Sequence, residues 1–227
     1  AAGCTPHQSF RFAFFAQIAD LVDELDATAR GISFVFNPLE TNRQMFNDLW
    51  VQEGLHTLTG RPSAKETLTR RAILQKSFAD EFVCGLAAHA YGDSYAHRVL
   101  ENEAMMYAPV AGHAVEWLNG HDPHCPDFLN QRPLLYGAYV STLYDVYSKI
   151  PGAKPTMSQA DLIQKCLKVA GTPGEEKQIS LLRDCAAKSC GAVMLSYAPE
   201  EQTSLVPWDT FNARWPLIIA KHRLADA

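Results

Sequence analysis

Apolar and polar residues alternate with a period near 3.6 over most of the chain, which predicts α-helices. A clear example covers residues 10–29, where apolar and acidic positions alternate before Gly31. A capping box at residues 63–66 (SAKE) predicts the start of a long helix over about 64–100. Later helix starts are predicted at Pro133, at Ser158 with Asp161, and at the turn 172–175.

One segment alone has the composition of a strand, ISFVF at 32–36, and it is too short to build a sheet. The sequence therefore predicts an all-α fold, a single multi-helix domain over residues 1–227. The segment 100–132 is irregular and rich in proline, glycine and histidine. Long segments of this kind in compact domains usually have a function.

Three side chains with ligand chemistry lie four residues apart on the predicted long helix: His89, Asp93 and His97. At this spacing they face one side of the helix. Gly85 and Gly92 on the same helix would let a neighbouring element approach closely. Imidazole and carboxylate groups on one stripe are what a metal site requires, so we predict a domain built around a buried metal-binding helix.

The length of this stripe favours two metal ions over one. His89 and His97 are eight residues apart, about 12 Å along a helix axis, and two imidazoles at this separation rarely bind one ion unless the helix bends. Asp93 lies midway and could bridge two ions, with one histidine on each. Further donors follow in the irregular segment, at His113, His121 and Asp122.

Two other apolar segments have a simpler interpretation. The aromatic positions of 134–147 recur at helical spacing, which predicts core packing, although the tyrosine hydroxyls could still line a pocket. The run Met105-Met106-Tyr107 fits either a wall for an apolar ligand or a loop anchor packed on the core. Cys84, one of six cysteines, lies in an apolar helical stretch and is predicted to be a buried free thiol.

Charge and hydropathy narrow the function classes. The net charge is −5 and no block of lysine or arginine is present, which argues against non-specific duplex binding. The net charge does not argue against a nuclease, because bound cations would reverse the local electrostatic potential. No apolar run approaches the length of a transmembrane helix, and no signal peptide is seen, although residues 1–4 (AAGC) resemble the end of a lipoprotein signal.

Other catalytic signatures are missing from the sequence: the nucleophile elbow, the HExxH zinc motif, the P-loop and the dinucleotide fingerprint. Ser94 follows Asp93 directly, and adjacent helical residues point apart, which argues against a serine triad. Cys125 beside His124 could act as a thiol nucleophile, but an incidental or disulfide-bonded cysteine is the commoner case.

The segment His89-Ala-Tyr-Gly-Asp93 resembles the H-x-x-x-D helix motif of bacterial zinc-dependent phospholipases C and S1/P1 nucleases. The longer pattern over residues 82–128, HAYGDSYAH, then GHA, then GH, is similar to uncharacterised bacterial domains that look like remote relatives of those hydrolases. The resemblance implies an all-α enzyme with two or three zinc ions. Outside this segment it rests on helical character only.

The resemblance also implies a ligand set. His89 and Asp93 match the family motif directly, and His97 and His113 resemble the histidines of the other zinc. Where the family has its acidic ligand, this chain has Trp117, which leaves Glu116 or Asp122 for that role. The remaining matches are an upstream histidine and an upstream carboxylate, His56 and either Asp20 or Asp23. The family's N-terminal tryptophan is Ala1 here, with His7 as a substitute donor.

The resemblance predicts a metal-dependent hydrolase of phosphodiester bonds, in which bridging zinc ions activate water and Asp93, Asp23 and Glu116 are the catalytic candidates. It implies a phospholipid or nucleic-acid substrate, peripheral membrane contact, a secreted or periplasmic bacterial location and, for an effector, a protein inhibitor. Two alternatives stay open. One is a non-catalytic, metal-stabilised binding or toxin-accessory module, and the other is a helical domain whose histidines are satisfied by hydrogen bonds.

Overall fold

The computed structural model describes residues 15–16, 51–109, 112–122, 124–155, 157–190 and 213–214. The fold is all-α, as predicted, with one two-stranded hairpin in the described part. Its helices are α1 (Ser63–Lys76), α2 (Glu81–Ala96), α3 (Pro133–Ser148), α4 (Gln159–Ala170) and α5 (Glu175–Cys190). The shorter elements are strands β1 (Arg98–Val99) and β2 (Asn102–Met106) and the 3₁₀ helices η1 (Gly112–Asn119) and η2 (Cys125–Asp127).

The prediction of one continuous helix over 64–100 is wrong, because the chain turns between α1 and α2. The Ser77 hydroxyl donates to the carbonyl of Leu74, 2.8 Å away, at the end of α1. Asp80 then caps α2, accepting from the amide of Phe82 at 3.0 Å. Both are local hydrogen bonds that compete with a continuing helix, and the turn lets α1 pack along α2.

The predicted capping box at the start of α1 is also wrong. Pro62 is the N-cap, and the Ser63 hydroxyl donates to the carbonyl of Glu103 at 2.7 Å instead of capping its own helix. Glu66 is buried beside Arg70, with oxygen and nitrogen 3.4 Å apart. Tertiary partners have therefore replaced the local ones. The later start at Ser158 is confirmed, since its hydroxyl accepts from the amide of Asp161 at 3.1 Å.

The core lies between α1, α2 and α3 and combines small α2 residues with aromatic ones. Tyr139 and Leu143 of α3 pack against it, which confirms the core interpretation of the aromatic helix. Cys84 is buried, also as predicted. The buried members of this core are Leu74, Cys84, Ala87, Ala88, Tyr91, Tyr95 and Val146.

The segment 100–132 is more regular than predicted. Strands β1 and β2 form an antiparallel hairpin that pairs Arg98 with Met106. The amide of Met106 donates to the carbonyl of Arg61 at 2.9 Å, and the amide of Tyr107 donates to the carbonyl of His97 at 3.0 Å. Met106 and Tyr107 are each only 2% exposed, which favours the interpretation of this run as an anchor packed on the core.

Gly85 allows a close helix contact, as predicted. A Cβ atom at this position would lie 2.5 Å from the Cβ of Phe15. At Gly92 the nearest atom, the hydroxyl oxygen of Tyr139, would be 3.5 Å away, which is ordinary contact. The two glycines therefore differ in the space around them, although both lie inside α2.

We expect Gly85→Ala to destabilise the protein by about 1–3 kcal/mol, because the new methyl group overpacks the contact with Phe15. Gly92→Ala is the matched control and should be neutral or stabilising by about 0.5–1 kcal/mol, the usual gain from replacing a helical glycine. Denaturant melts of the metal-free variants would measure both changes. Equal stability of the two variants would contradict the close packing at Gly85.

Several predictions fall outside the described residues. They include the strand at 32–36 and the helix at 10–29, of which only Phe15 and Ala16 are described, both helical. The prediction of one domain over 1–227 also stays a prediction. In the part of the chain that the structure describes, no helix is long and apolar enough to cross a membrane.

Candidate metal centre

The first group of donors consists of His56, His89 and Asp93. His89 and Asp93 lie one turn apart on α2, and the His89 Nε2 atom is 3.1 Å from Asp93 Oδ2. His56 comes from the turn before α1, with its Nδ1 atom 3.2 Å from Asp93 Oδ2 and 3.4 Å from His89 Nε2. The three side chains are 8%, 10% and 14% exposed.

These three donor atoms form a nearly equilateral triangle with edges of 3.1–3.4 Å. In a tetrahedral zinc site with bonds near 2.0–2.1 Å, two ligand atoms are roughly 3.3 Å apart. The first group therefore has the spacing of three corners of such a site. The fourth corner has no donor among the residues grouped with it in the described part.

A strained turn places His56 in this group. The next residue, Thr57, has a φ of 55°, a conformation that a β-branched residue rarely adopts. Its hydroxyl donates to the carbonyl of Ala90 on α2 at 2.9 Å, and Thr57 is fully buried. This hydrogen bond ties the turn to the helix residue next to His89. Backbone strain of this kind persists where the surrounding structure imposes it, often at functional sites.

The second group consists of His97, His113 and Asp127. His97 is the C-cap of α2, His113 lies at the start of η1, and Asp127 ends η2. The Nε2 atoms of His97 and His113 are 3.6 Å and 3.7 Å from the two carboxylate oxygens of Asp127. The side chain of Asp127 is 38% exposed, so this group is looser and more open to solvent than the first.

His97 lies between the two groups and its orientation is set by the backbone. Its Nδ1 atom is 2.5 Å from the carbonyl oxygen of His56. A carbonyl only accepts, so Nδ1 carries the proton and Nε2 is the atom directed at Asp127. Hydrogen bonding of one ring nitrogen to a carbonyl is how ligand histidines are held with the other nitrogen toward a metal.

The carboxylates of both groups are ionised at neutral pH. Burial alone would raise the pKa of Asp93, but the neighbouring charges of His97 and His89 hold it far below its usual range. Burial would likewise raise the pKa of Asp127, but the nearby imidazoles of His97 and His113 lower it below its usual range. Burial lowers and these two carboxylates raise the pKa of His97, with a net rise to about 9. Metal binding requires ionised carboxylates and neutral imidazoles, so a cation at the second group would displace a proton from His97.

The structure brings together five of the six predicted ligands, His56, His89, Asp93, His97 and His113, in these two groups. Asp122 is not among them. It is exposed, and its carboxylate accepts from the amide of His124 at 2.8 Å in its own turn. Asp93 belongs to the first group, and its Oδ2 atom also lies 3.6 Å from Nδ1 of His97. Its role as a bridge between two ions stays a prediction.

The predicted catalytic carboxylates are placed differently. Glu116 is 1% exposed and accepts a short hydrogen bond from the hydroxyl of Tyr107, so it ties η1 to the hairpin and joins neither group. Asp20, Asp23 and His7 lie outside the described residues. Cys125, considered as a nucleophile or a disulfide partner, is a free thiol.

Asp127 is a candidate ligand that the sequence interpretation missed. The sequence feature that could have indicated Asp127 is its position three residues after His124, in the same histidine-rich segment. The Nδ1 atom of His124 is 3.8 Å from Asp127 Oδ2, but its side chain is 63% exposed. The sequence offered two acids here, Asp122 and Asp127, with no local feature to separate them.

No protein-family model, curated protein or solved structure matches this chain. The resemblance to phospholipases C and S1/P1 nucleases therefore stays a prediction. Two histidine and aspartate groups that could hold metal ions are present in the described residues.

Proposed function

We propose that this protein is a metal-dependent hydrolase of phosphodiester bonds that binds one cation at each group. The main support is the 3.1–3.4 Å triangle of His56, His89 and Asp93, directly beside the more open second group. Adjacent cation sites of unequal exposure suit a reaction in which water is activated and a phosphoryl oxygen is bound.

The donor types fit zinc. Each group has two imidazoles and one carboxylate, a set that zinc binds in catalytic sites with one position left for water or substrate. Other first-row metals bind the same set of donors, so the choice of zinc among them belongs to the proposal. Bound cations would lower the pKa of water and neutralise phosphoryl oxygens. The side chains hold those cations, and the half-exposed Asp127 marks the side from which substrate enters.

Among phosphodiesters, a phospholipid is favoured over single-stranded nucleic acid. Trp117 and Leu118 follow His113 on η1 and are 71% and 76% exposed, so the element that carries this donor also presents apolar surface. The sequence has no lysine between Lys76 and Lys149. A groove for single strands combines aromatic residues with basic ones, and the two arginines of this segment, Arg98 and Arg132, donate to backbone carbonyls instead.

The non-catalytic, metal-stabilised module is the alternative, and the burial of the first group favours it. Side chains that are 8–14% exposed are typical of a closed structural site. The two functions differ in what the second group does. The second group is more open, with a carboxylate that is 38% exposed, and this openness favours the hydrolase.

We expect the purified protein, without a histidine tag, to contain two cations per chain and to hydrolyse phosphatidylcholine vesicles. Chelation should abolish hydrolysis and lower the melting temperature, and zinc should restore both. Elemental analysis, phosphate-ester release and thermal melts are the measurements. Two bound cations with no release from vesicles or from single-stranded DNA would favour the structural alternative. A metal-free protein after growth in zinc-replete medium would leave the histidines as hydrogen-bonding groups only.

A further inference from the structure

Arg132, the N-cap of α3, donates to three backbone carbonyls from two parts of the chain. Its Nη1 atom donates to the carbonyl of Arg98 at 2.7 Å. Its Nη2 atom donates to Pro126 at 3.0 Å and makes a short hydrogen bond to Ala96. The guanidinium is partly buried, and burial lowers the pKa of Arg132.

These carbonyls belong to the neighbours of the second group's donors. Ala96 and Arg98 lie on either side of His97, and Pro126 directly precedes Asp127. Ala96 is the last residue of α2, where carbonyls have no partner within the helix and a cation is favoured. One side chain therefore joins the two chain segments that must meet for His97 and Asp127 to bind one ion.

We infer that Arg132 is a positioning residue for the second cation, an inference that rests on the proposed function. A planar guanidinium can bind several carbonyls at fixed angles, whereas a lysine ammonium cannot reproduce this geometry. Arg132 acts through the backbone on either side of the ligands and is not itself a ligand.

The direction in which the affinity for the second cation changes distinguishes a positioning role of Arg132 from the effect of its charge. A guanidinium near Asp127 repels a second cation, so removing its charge alone would tighten binding of that cation. Removing a positioning residue weakens the binding instead. Arg132→Met should therefore bind the second cation more weakly, although it carries one positive charge fewer.

The experiment is a titration of the metal-free full chain with Co²⁺, in which binding is measured by visible absorption. It is carried out on the wild type and on Arg132→Met, Arg132→Lys and Arg98→Met. Arg98 is the matched control. It is half-buried at the same end of α2 and donates to Ser94 and Thr67, at 3.0 Å and 3.1 Å, without reaching η2. For both Arg132 variants we expect the dissociation constant of the second Co²⁺ to rise roughly 10–100-fold, with a weaker absorption band, as for other residues that orient ligands. The first Co²⁺ should bind as in wild type.

Three results would overturn the inference: tighter binding of the second Co²⁺ in Arg132→Met, an equal loss at both sites, or the same selective loss in Arg98→Met. If Arg132→Met does not fold, Arg132→Lys decides, and wild-type binding of both ions by it would also overturn the inference. If the wild-type protein binds one Co²⁺ or none, this result contradicts the proposed function itself. No variant is needed to obtain that result.

Discussion

Asp93→Asn should lose the cation of the first group and, with it, phosphodiester hydrolysis. Asparagine has the size of aspartate but not its charge, and Oδ2 of Asp93 lies 3.1–3.6 Å from nitrogens of His56, His89 and His97. Because Asp93 is a direct donor, we expect metal affinity to fall by more than roughly 100-fold, beyond the loss typical of residues that only orient ligands. The metal-free variant should also be less stable by about 3 kcal/mol, since the buried histidines lose their counter-charge.

Asp122→Asn is the control for this variant, because Asp122 is exposed and bonded within its own turn. It should keep two cations, wild-type hydrolysis and an unchanged melting temperature. Elemental analysis and melts with and without chelator measure both variants. An Asp93→Asn protein that melts like wild type and keeps two cations would remove Asp93 from the site.

The second large effect is expected for Asp127→Asn, which should lose one cation and hydrolysis but keep the cation of the first group. Asp127 is the only carboxylate in the second group, with its two oxygens 3.6 Å and 3.7 Å from His97 and His113. The side chain is more than one-third exposed, so the loss of stability in the metal-free protein should be small. The measurement is cation content per chain with the rate of vesicle hydrolysis.

Glu116→Gln is the matched carboxylate on the same segment. Its amide oxygen can still accept from the hydroxyl of Tyr107, so this variant should keep both cations. Comparison of Glu116→Gln with Asp127→Asn tests which acid is the ligand. Glu116 is the acid that the family pattern predicts, and Asp127 is the acid that the fold brings to the site. A Glu116→Gln protein that loses a cation while Asp127→Asn keeps both would return the ligand role to Glu116.

Features that depend on neighbours in sequence could be predicted. The pairing of His89 with Asp93 follows from helical geometry alone, because residues four apart lie on one face. The starts of α3 and α4 depend on Pro133 and Ser158, which act within one turn. The burial of Cys84 followed from its apolar helical stretch, and the packing of Tyr139 against the core followed from helical periodicity.

Local patterns failed where a distant partner replaced a near one. Ser63 has the sequence of a capping residue, but it bonds to Glu103, forty residues away. His97 continues the stripe of α2 in sequence, yet it is the C-cap, and a hydrogen bond to the carbonyl of His56 sets its ring. The segment 100–132 has weak helix and strand patterns of its own. Its hairpin is anchored to the turn before α1, η1 is bonded to Tyr107, and η2 is bonded to Arg132.

By itself the sequence determined that this protein is helical and that one helix carries histidine and aspartate side chains with ligand chemistry on one face, because both depend on a repeat of three to four residues. Tertiary structure decided which other donors join the groups: His56 through the strained turn at Thr57, and Asp127 in place of Asp122 through the position of η2. These donors meet only after segments far apart in sequence have packed together. That packing is a property of the whole chain, which the spacing of residues within one segment does not contain.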